Sequence, residues 1–193
     1  MSIEKMSVKA KELKGKGHST REICQEMHLS QATVEWLLAK QASDNFTENI
    51  PADVKVGWRT IGVRPNRINA IGAIMSDIVV EELEEVDTVV GISLNGILFA
   101  NSIGDQLDLD VAIFRSVDSE GGGHLSNKYG HVAGRTVVVV DDLLSTGETM
   151  RRTIETLQNE GANVALCIVL VNKTEDNEVS GVPLRGLIRA VRV

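Results

Sequence analysis

An α/β domain with a mainly parallel sheet, preceded by a small all-helical domain, is the fold class this sequence predicts. Three observations carry that reading. Two short apolar, β-branched runs, Val137–Val140 and the valines of Asp87–Ile92, each feed a small-residue loop and then a helical pattern. Residues 1–40 place apolar side chains at helical spacing. Between these parts, Gln41–Val56 is polar and aperiodic, as a linker would be, with room for an edge strand near Val54–Val56. The predicted division is a helical domain over 1–42, a linker over 43–57 and the α/β domain over 58–193.

Composition agrees. The chain has 193 residues and is 42% hydrophobic, enough for an ordinary globular domain and a small one. No apolar run approaches the ~18 residues of a membrane span, and no signal-peptide pattern is present. The expectation is a cytoplasmic protein with no membrane partner. Cys24 and Cys167 fall in different predicted domains within apolar patterns, as small core residues, and no zinc spacing exists. No direct metal ligand set is predicted. The net charge of −7 argues against general nucleic-acid affinity, while leaving room for a local basic surface.

The chemistry concentrates in Arg135–Thr149, RTVVVVDDLLSTGET. The valines suit a strand buried on both faces. Asp141 and Asp142 close the run, Leu143 and Leu144 follow, and Ser145-Thr146-Gly147-Glu148-Thr149 leads into a helical pattern over Met150–Gln158. A helix N-terminus presents unpaired N–H groups and partial positive charge, and so binds anions. Gly147 lets the backbone approach a phosphate, and the hydroxyls add donors. The two acids repel a phosphate but accept hydrogen bonds from vicinal hydroxyls. A phosphate and a diol side by side describe a ribose 5-phosphate. The plainer alternative is a βα unit whose helix is capped by Ser145 or Thr146, although a cap needs no pair of acids. The GxGxxG and GxxxxGK[ST] patterns are absent.

VVVVDDLLSTGET resembles the phosphoribosyl-pyrophosphate (PRPP) motif of type I phosphoribosyltransferases. The resemblance implies that Asp141 and Asp142 hold the ribose 2- and 3-hydroxyls, that Leu143–Thr149 wrap the 5-phosphate, and that Mg²⁺ accompanies the ligand. It implies that the α/β domain is a type I phosphoribosyltransferase core.

A second anion loop precedes the first. The strand DTVVGI runs into Ser93-Leu94-Asn95-Gly96 and then a helix from about Ile97 to Gln106. GISLNG resembles the pyrophosphate loop of orotate-type members, with Leu94 and Asn95 departing from its small residues. Asp110–Val117 reads as a third strand. Asp118–Gly134 is long and glycine-rich, as a functional lid would be. In orotate phosphoribosyltransferases the corresponding flexible loop carries an arginine, two lysines and a histidine. Arg115 stands where the arginine is expected and His124 is similar to the histidine, though its spacing is longer. Ser116 and Ser119 hold the lysine positions, so only Lys128 remains as a substitute. Hypoxanthine-type members place an aspartate base where this chain has Ser145.

The remaining elements follow from pattern. Trp58–Ile68, with Arg59, Arg64 and Arg67 around Pro65, reads as a solvated loop or as anion contacts. Asn69–Glu85 is an amphipathic helix. Asn163–Val171 is a strand, Lys173–Ser180 a charged turn, and Leu184–Val193 a half-exposed terminal strand.

In the helical domain, the first helix, about Glu4–Lys14, stops at Gly15-Lys16-Gly17. Ser19 or Thr20 caps the second, about Arg21–Met27. Ser30 caps the third, Gln31–Lys40. Ile23, Met27, Leu29, Val34, Leu37 and Leu38 are spaced to face one small core. Two short helices around a tight turn form the helix-turn-helix pattern. The segment resembles bacterial and archaeal helix-turn-helix domains, with His28 where glycine is commonest. That implies a recognition helix whose Gln31, Ala32, Thr33 and Glu35 face base edges, flanked by Trp36 and Lys40. Seven basic residues against five acidic ones give this segment +2, leaving about −9 for the rest. A small oligomerisation or lid domain is the other reading.

The combination is similar to archaeal orotate-phosphoribosyltransferase-like transcriptional regulators. It implies a PRPP-sensing regulator that binds double-stranded DNA as a homodimer and controls sugar or nucleotide metabolism genes. The alternative is an orotate-type transferase that joins phosphoribose to a base and releases pyrophosphate. The absent loop lysines favour the regulator.

Overall fold

The computed structural model describes residues 3–39, 56–116, 123–126 and 129–190. The chain divides into two compact units, 1–57 and 58–191.

The first unit holds three helices, α1 (Ile3–Gly15), α2 (Thr20–Met27) and α3 (Gln31–Ala39). Ala10, Ile23, Met27, Leu29, Val34 and Leu37 form its core, with Cys24, Trp36 and Leu38 packed at the margin. Ser19 caps α2 in a reciprocal box. Its hydroxyl accepts from the Glu22 N–H, and its own N–H donates to Glu22 Oε2. Those hydrogen bonds from Ser19 hold the Glu22 carboxyl below its ordinary value. The turn into α3 explains the unusual histidine. His28 is left-handed (φ 52°), the conformation that makes glycine the common choice, and histidine is among the residues that tolerate it. The Leu29 N–H then returns to the Cys24 carbonyl at 3.1 Å, which turns Leu29 into the core. Ser30 Oγ accepts the Thr33 N–H and so caps α3.

The second unit is built on a seven-stranded sheet: β1 (Thr88–Ile92), β2 (Asp110–Arg115), β3 (His124–Leu125), β4 (Thr136–Leu144), β5 (Asn163–Asn172), β6 (Glu178–Val179) and β7 (Val182–Arg189). The order is β3-β2-β1-β4-β5-β7-β6. The five inner strands are parallel, and the two-residue strands β3 and β6 close the edges antiparallel. Helix α6 (Asn95–Leu107) packs on β1 and β4, with α5 (Pro65–Glu82) beside it. Helix α7 (Glu148–Asn159) supplies Met150, Ile154 and Leu157 to a core that includes Val137 and Val139 of β4. Val138 and Val140, on the alternate face, are buried as completely, so the valine run is indeed a strand covered on both sides. Arg185 of β7 grips Glu82 at the end of α5 through Nε and Nη2, at 2.5 and 2.9 Å.

Three expectations change. Trp58–Ile68 is not a loop: it holds the short helix α4 (Arg59–Gly62) and the first turn of α5. Pro65 sits at the start of α5, where a missing N–H costs nothing, so a residue that suggests a break begins the helix. Arg67 donates to the Thr60 carbonyl within this corner. Trp58 meets Phe99 edge to face, with ring centroids 5.6 Å apart. The charged turn after β5 contains β6, too short to leave a periodic signal. Finally, the described parts of the long loop hug the sheet. Leu125 pairs with Phe114, and the Ser126 and Gly130 N–H groups donate to the Ile113 and Val111 carbonyls. The suggested edge strand near Val54–Val56 lies largely outside the described residues.

Candidate functional site

Strand β4 runs farther than its valines. Asp141, Leu143 and Leu144 pair with Val169, Val171 and Asn172 of β5, so both acids and both leucines are strand residues and the loop proper is Ser145–Gly147. The adjoining strand keeps the acids fixed at the carboxyl end of the sheet, where open α/β sheets bind ligands. The Asp142 N–H donates to Asp141 Oδ1 at 2.8 Å. Desolvation at this strand end, and then the charge of Asp142, push the Asp141 carboxyl well above its ordinary value.

Helix α7 begins at Glu148, two residues before the expected Met150, and its N-cap is Gly147. Gly147 is left-handed (φ 74°) and contributes no side-chain cap. Neither Ser145 nor Thr146 is therefore the N-cap residue of α7. Thr146 Oγ1 accepts only a long contact from the Glu148 N–H, at 3.4 Å. Glu148 turns along the helix to pair with Arg152. The loop thus offers backbone groups and hydroxyls to an anion, not carboxylates.

The second expected anion loop touches the first. β1 ends at Ile92, and Ser93, Leu94, Asn95 and Gly96 lead into α6. The Ser93–Leu94 peptide is cis. Ser93 Oγ accepts the Ser116 N–H at 3.2 Å. Leu94 is 75% exposed. Asn95 Nδ2 donates to Asp142 Oδ2 at 2.9 Å, joining the two loops directly. Sequence reasoning missed this contact, because 47 residues separate the partners.

Two further neighbours also went unread. The Arg151 guanidinium reaches back to within 3.9 Å of the position a Gly147 Cβ would take, so a cation lies near the loop. The Lys173 N–H donates to the Leu144 carbonyl at 2.8 Å, which fixes the end of β5 against the loop. The spacing of Arg151 from Gly147, one helical turn, was the available signal.

Of the expected flexible-loop residues, Arg115 and His124 are partners across β2 and β3. Both sit on strands and not in a free loop. Gly123 explains part of the glycine run, since a Cβ there would stand 2.2 Å from the Phe114 ring. Lys128 and Ser119 lie outside the described residues.

In the first unit, Gln31, Ala32 and Glu35 are exposed on α3, and Gln31 Nε2 donates to Glu35 Oε1 at 2.7 Å. Trp36 is half-buried against the small core. Thr33 does not face outward. It is 7% exposed, and its hydroxyl shares a 2.9 Å hydrogen bond with Ser30, so it belongs to the cap and not to a reading surface. Lys40 lies outside the described residues.

Cys167 is buried in β5, and burial pushes its thiol up to about 12, a packing residue rather than a nucleophile. Among the described residues no group of three or more His, Cys, Asp or Glu could hold a metal ion. No described helix is long and apolar enough to cross a membrane.

Comparison with known proteins fits this geometry. The phosphoribosyl transferase domain matches residues 57–186, and the chain belongs to that family. Over nearly its whole length it is also similar to archaeal proteins named transcriptional regulator GfcR. That of Thermoplasma acidophilum is 44% identical, covering 97% of this chain and 96% of the relative. That of Picrophilus torridus is 39% identical, covering 100% and 99%. Among solved structures, adenine phosphoribosyltransferase from Thermoanaerobacter pseudethanolicus superposes with a TM-score of 0.59 at 20% identity, over 70% of this chain and 88% of that one. The last comparison establishes the fold alone.

Proposed function

We propose that this protein is a PRPP-sensing, DNA-binding transcriptional regulator, working in the cytoplasm as a homodimer. The observation that carries the reading is one chain holding two separate devices. One is the β4–α7 cradle with its paired acids. The other is a compact three-helix unit with a capped turn between α2 and α3. The names of the relatives support a regulatory role.

In this reading Asp141 and Asp142 accept the ribose hydroxyls. Ser145, Thr146, Gly147 and the first turn of α7 receive the 5-phosphate. Ser93–Gly96, joined to Asp142 through Asn95, would receive the diphosphate. Mg²⁺ binds through one or two carboxylates together with ligand phosphates. Asp141 and Asp142 are the residues that would hold it, and it would supply positive charge to offset the diphosphate.

The helical unit would lay the start of α3, with Gln31, Ala32 and Glu35, in the major groove. Palindromic reading requires two copies. For PRPP to regulate, it must favour one arrangement of the dimer over another, since equal affinity for both shifts nothing. Genes of sugar or nucleotide metabolism are the proposed targets, because PRPP links the two.

The test is to enrich duplexes from a random pool on the full chain. Anisotropy of the enriched duplex is then measured with and without PRPP and Mg²⁺. The expected result is a sequence-selective duplex whose affinity changes with PRPP. Failure to enrich any duplex, or release of pyrophosphate when a nucleobase is added, would overturn the regulator in favour of the transferase.

A further inference from the structure

We infer that Asn95 is a positioning residue: its side-chain amide holds the Asp142 carboxylate from the neighbouring loop and makes the two anion loops answer to one ligand. This rests on the reading of Asp141–Thr149 as a ribose 5-phosphate cradle.

The bond itself is 2.9 Å, from Asn95 Nδ2 to Asp142 Oδ2, with an ionisable acceptor. Its two ends are anchored differently. Asn95 is the first residue of α6, whose start lies flush against the ends of β1 and β4. A Cβ on Gly96 would stand 2.4 Å from the Val140 carbonyl oxygen, and one on Gly91 would stand 2.7 Å from Ile97 Cα. The amide is therefore presented from a fixed platform. At the other end, the Asp142 N–H is tied to Asp141 Oδ1, which holds the backbone beneath the carboxylate.

Orientation matters here because Asp141 lies next in the chain. Two carboxylates side by side repel, and a donor to either one offsets part of that repulsion. A carboxylate offers about four acceptor positions over two oxygens. One amide N–H occupies one of them, which by itself does not block a vicinal diol. The contact reduces the ordering that binding would otherwise require.

The same residue carries the coupling. Asn95 follows Ser93 and Leu94, and Ser93 Oγ holds the Ser116 N–H at the end of β2. A ligand that pulls on Asp142 thus pulls on the loop that would receive its diphosphate.

The experiment is calorimetric titration of the full chain with ribose 5-phosphate for wild type, Asn95→Ala and Asn95→Asp. Inorganic phosphate binding is followed in parallel by phosphorus NMR. The expected result for Asn95→Ala is a loss on the order of tenfold for ribose 5-phosphate, the worth of a hydrogen bond to a charged group. Inorganic phosphate should bind all three proteins alike. Asn95→Asp keeps the shape but turns the donor into a third negative charge, so it should bind ribose 5-phosphate more weakly than Asn95→Ala.

Wild-type affinity in Asn95→Asp would reduce the residue to a space-filler and overturn the inference. So would wild-type affinity in Asn95→Ala, or an equal loss for inorganic phosphate. A wild-type protein that does not bind ribose 5-phosphate at all would instead overturn the cradle reading, and this inference with it.

Discussion

Gly96 lies so close to Val140 that a single methyl group would strike the Val140 carbonyl oxygen at 2.4 Å. Helix α6 therefore starts directly on the end of β4, and the geometry of one loop sets that of the other. Gly96→Ala should destabilise the second unit by about 1–3 kcal/mol, the usual cost of overpacking. It should also weaken ligand binding, because the N-terminus of α6 must lift. Thermal unfolding and calorimetry check both. Gly57→Ala, where nothing lies within 4 Å, is the control and should change neither.

The raised Asp141 carboxyl has a consequence for stability. Its folded-state value lies above its unfolded one, through desolvation and then the charge of Asp142. Between the two values the folded state binds more protons, so its favourable contribution is complete below the ordinary carboxylate value. That contribution is lost as pH rises through the raised one. Asp141→Asn should therefore raise the melting temperature at neutral pH, with the gain fading in acid below the ordinary carboxylate range. A variant less stable than wild type at neutral pH would contradict this.

His28 occupies a left-handed position, where an L side chain costs about 1–2 kcal/mol and glycine does not. Glycine has its own cost in the unfolded chain, of about 0.5–1 kcal/mol. His28→Gly should thus stabilise the three-helix unit by about 1 kcal/mol or less. Chemical denaturation of a fragment bearing residues 1–57, compared with its variant, measures the difference.

If the helical unit holds DNA, deletion of residues 1–42 should abolish DNA binding and leave PRPP binding unchanged. For the full chain, the logarithm of DNA affinity should fall linearly with the logarithm of salt concentration, as phosphate contacts release counterions. A flat salt dependence, or DNA affinity in the truncated chain, would contradict the assignment.

Much of the fold was legible because burial left a direct imprint. Val137–Val140 is uniformly apolar since both faces of β4 are covered, and the starts of α2 and α3 are written in Ser19 and Ser30. Most of the misses come from tertiary pairing that leaves no periodic trace, and the rest from local capping. Strand β4 continues through Asp141 and Asp142 because β5 pairs with it there, against the low strand preference of aspartate. Strands β3 and β6 are two residues each, formed by pairing alone. Thr33 sits at a position that a recognition helix would expose, but its hydroxyl completes the Ser30 cap and turns inward. Pro65 looks like a break and is a beginning. At the candidate site the motif itself was readable. The Asn95–Asp142 bond and the seat of Lys173 on Leu144 were not, since each depends on how distant segments are brought together, whereas the nearness of Arg151 to Gly147 was open to reading from their one-turn spacing.

The most direct measurement is calorimetric titration of the full chain with PRPP and Mg²⁺, beside the double variant Asp141→Asn, Asp142→Asn, while pyrophosphate release is monitored with orotate and other bases. The account predicts saturable one-site binding by the wild type, no binding by a folded double variant, and no pyrophosphate with any base. Binding that survives the double substitution would contradict the site, and turnover with any base would contradict the sensor.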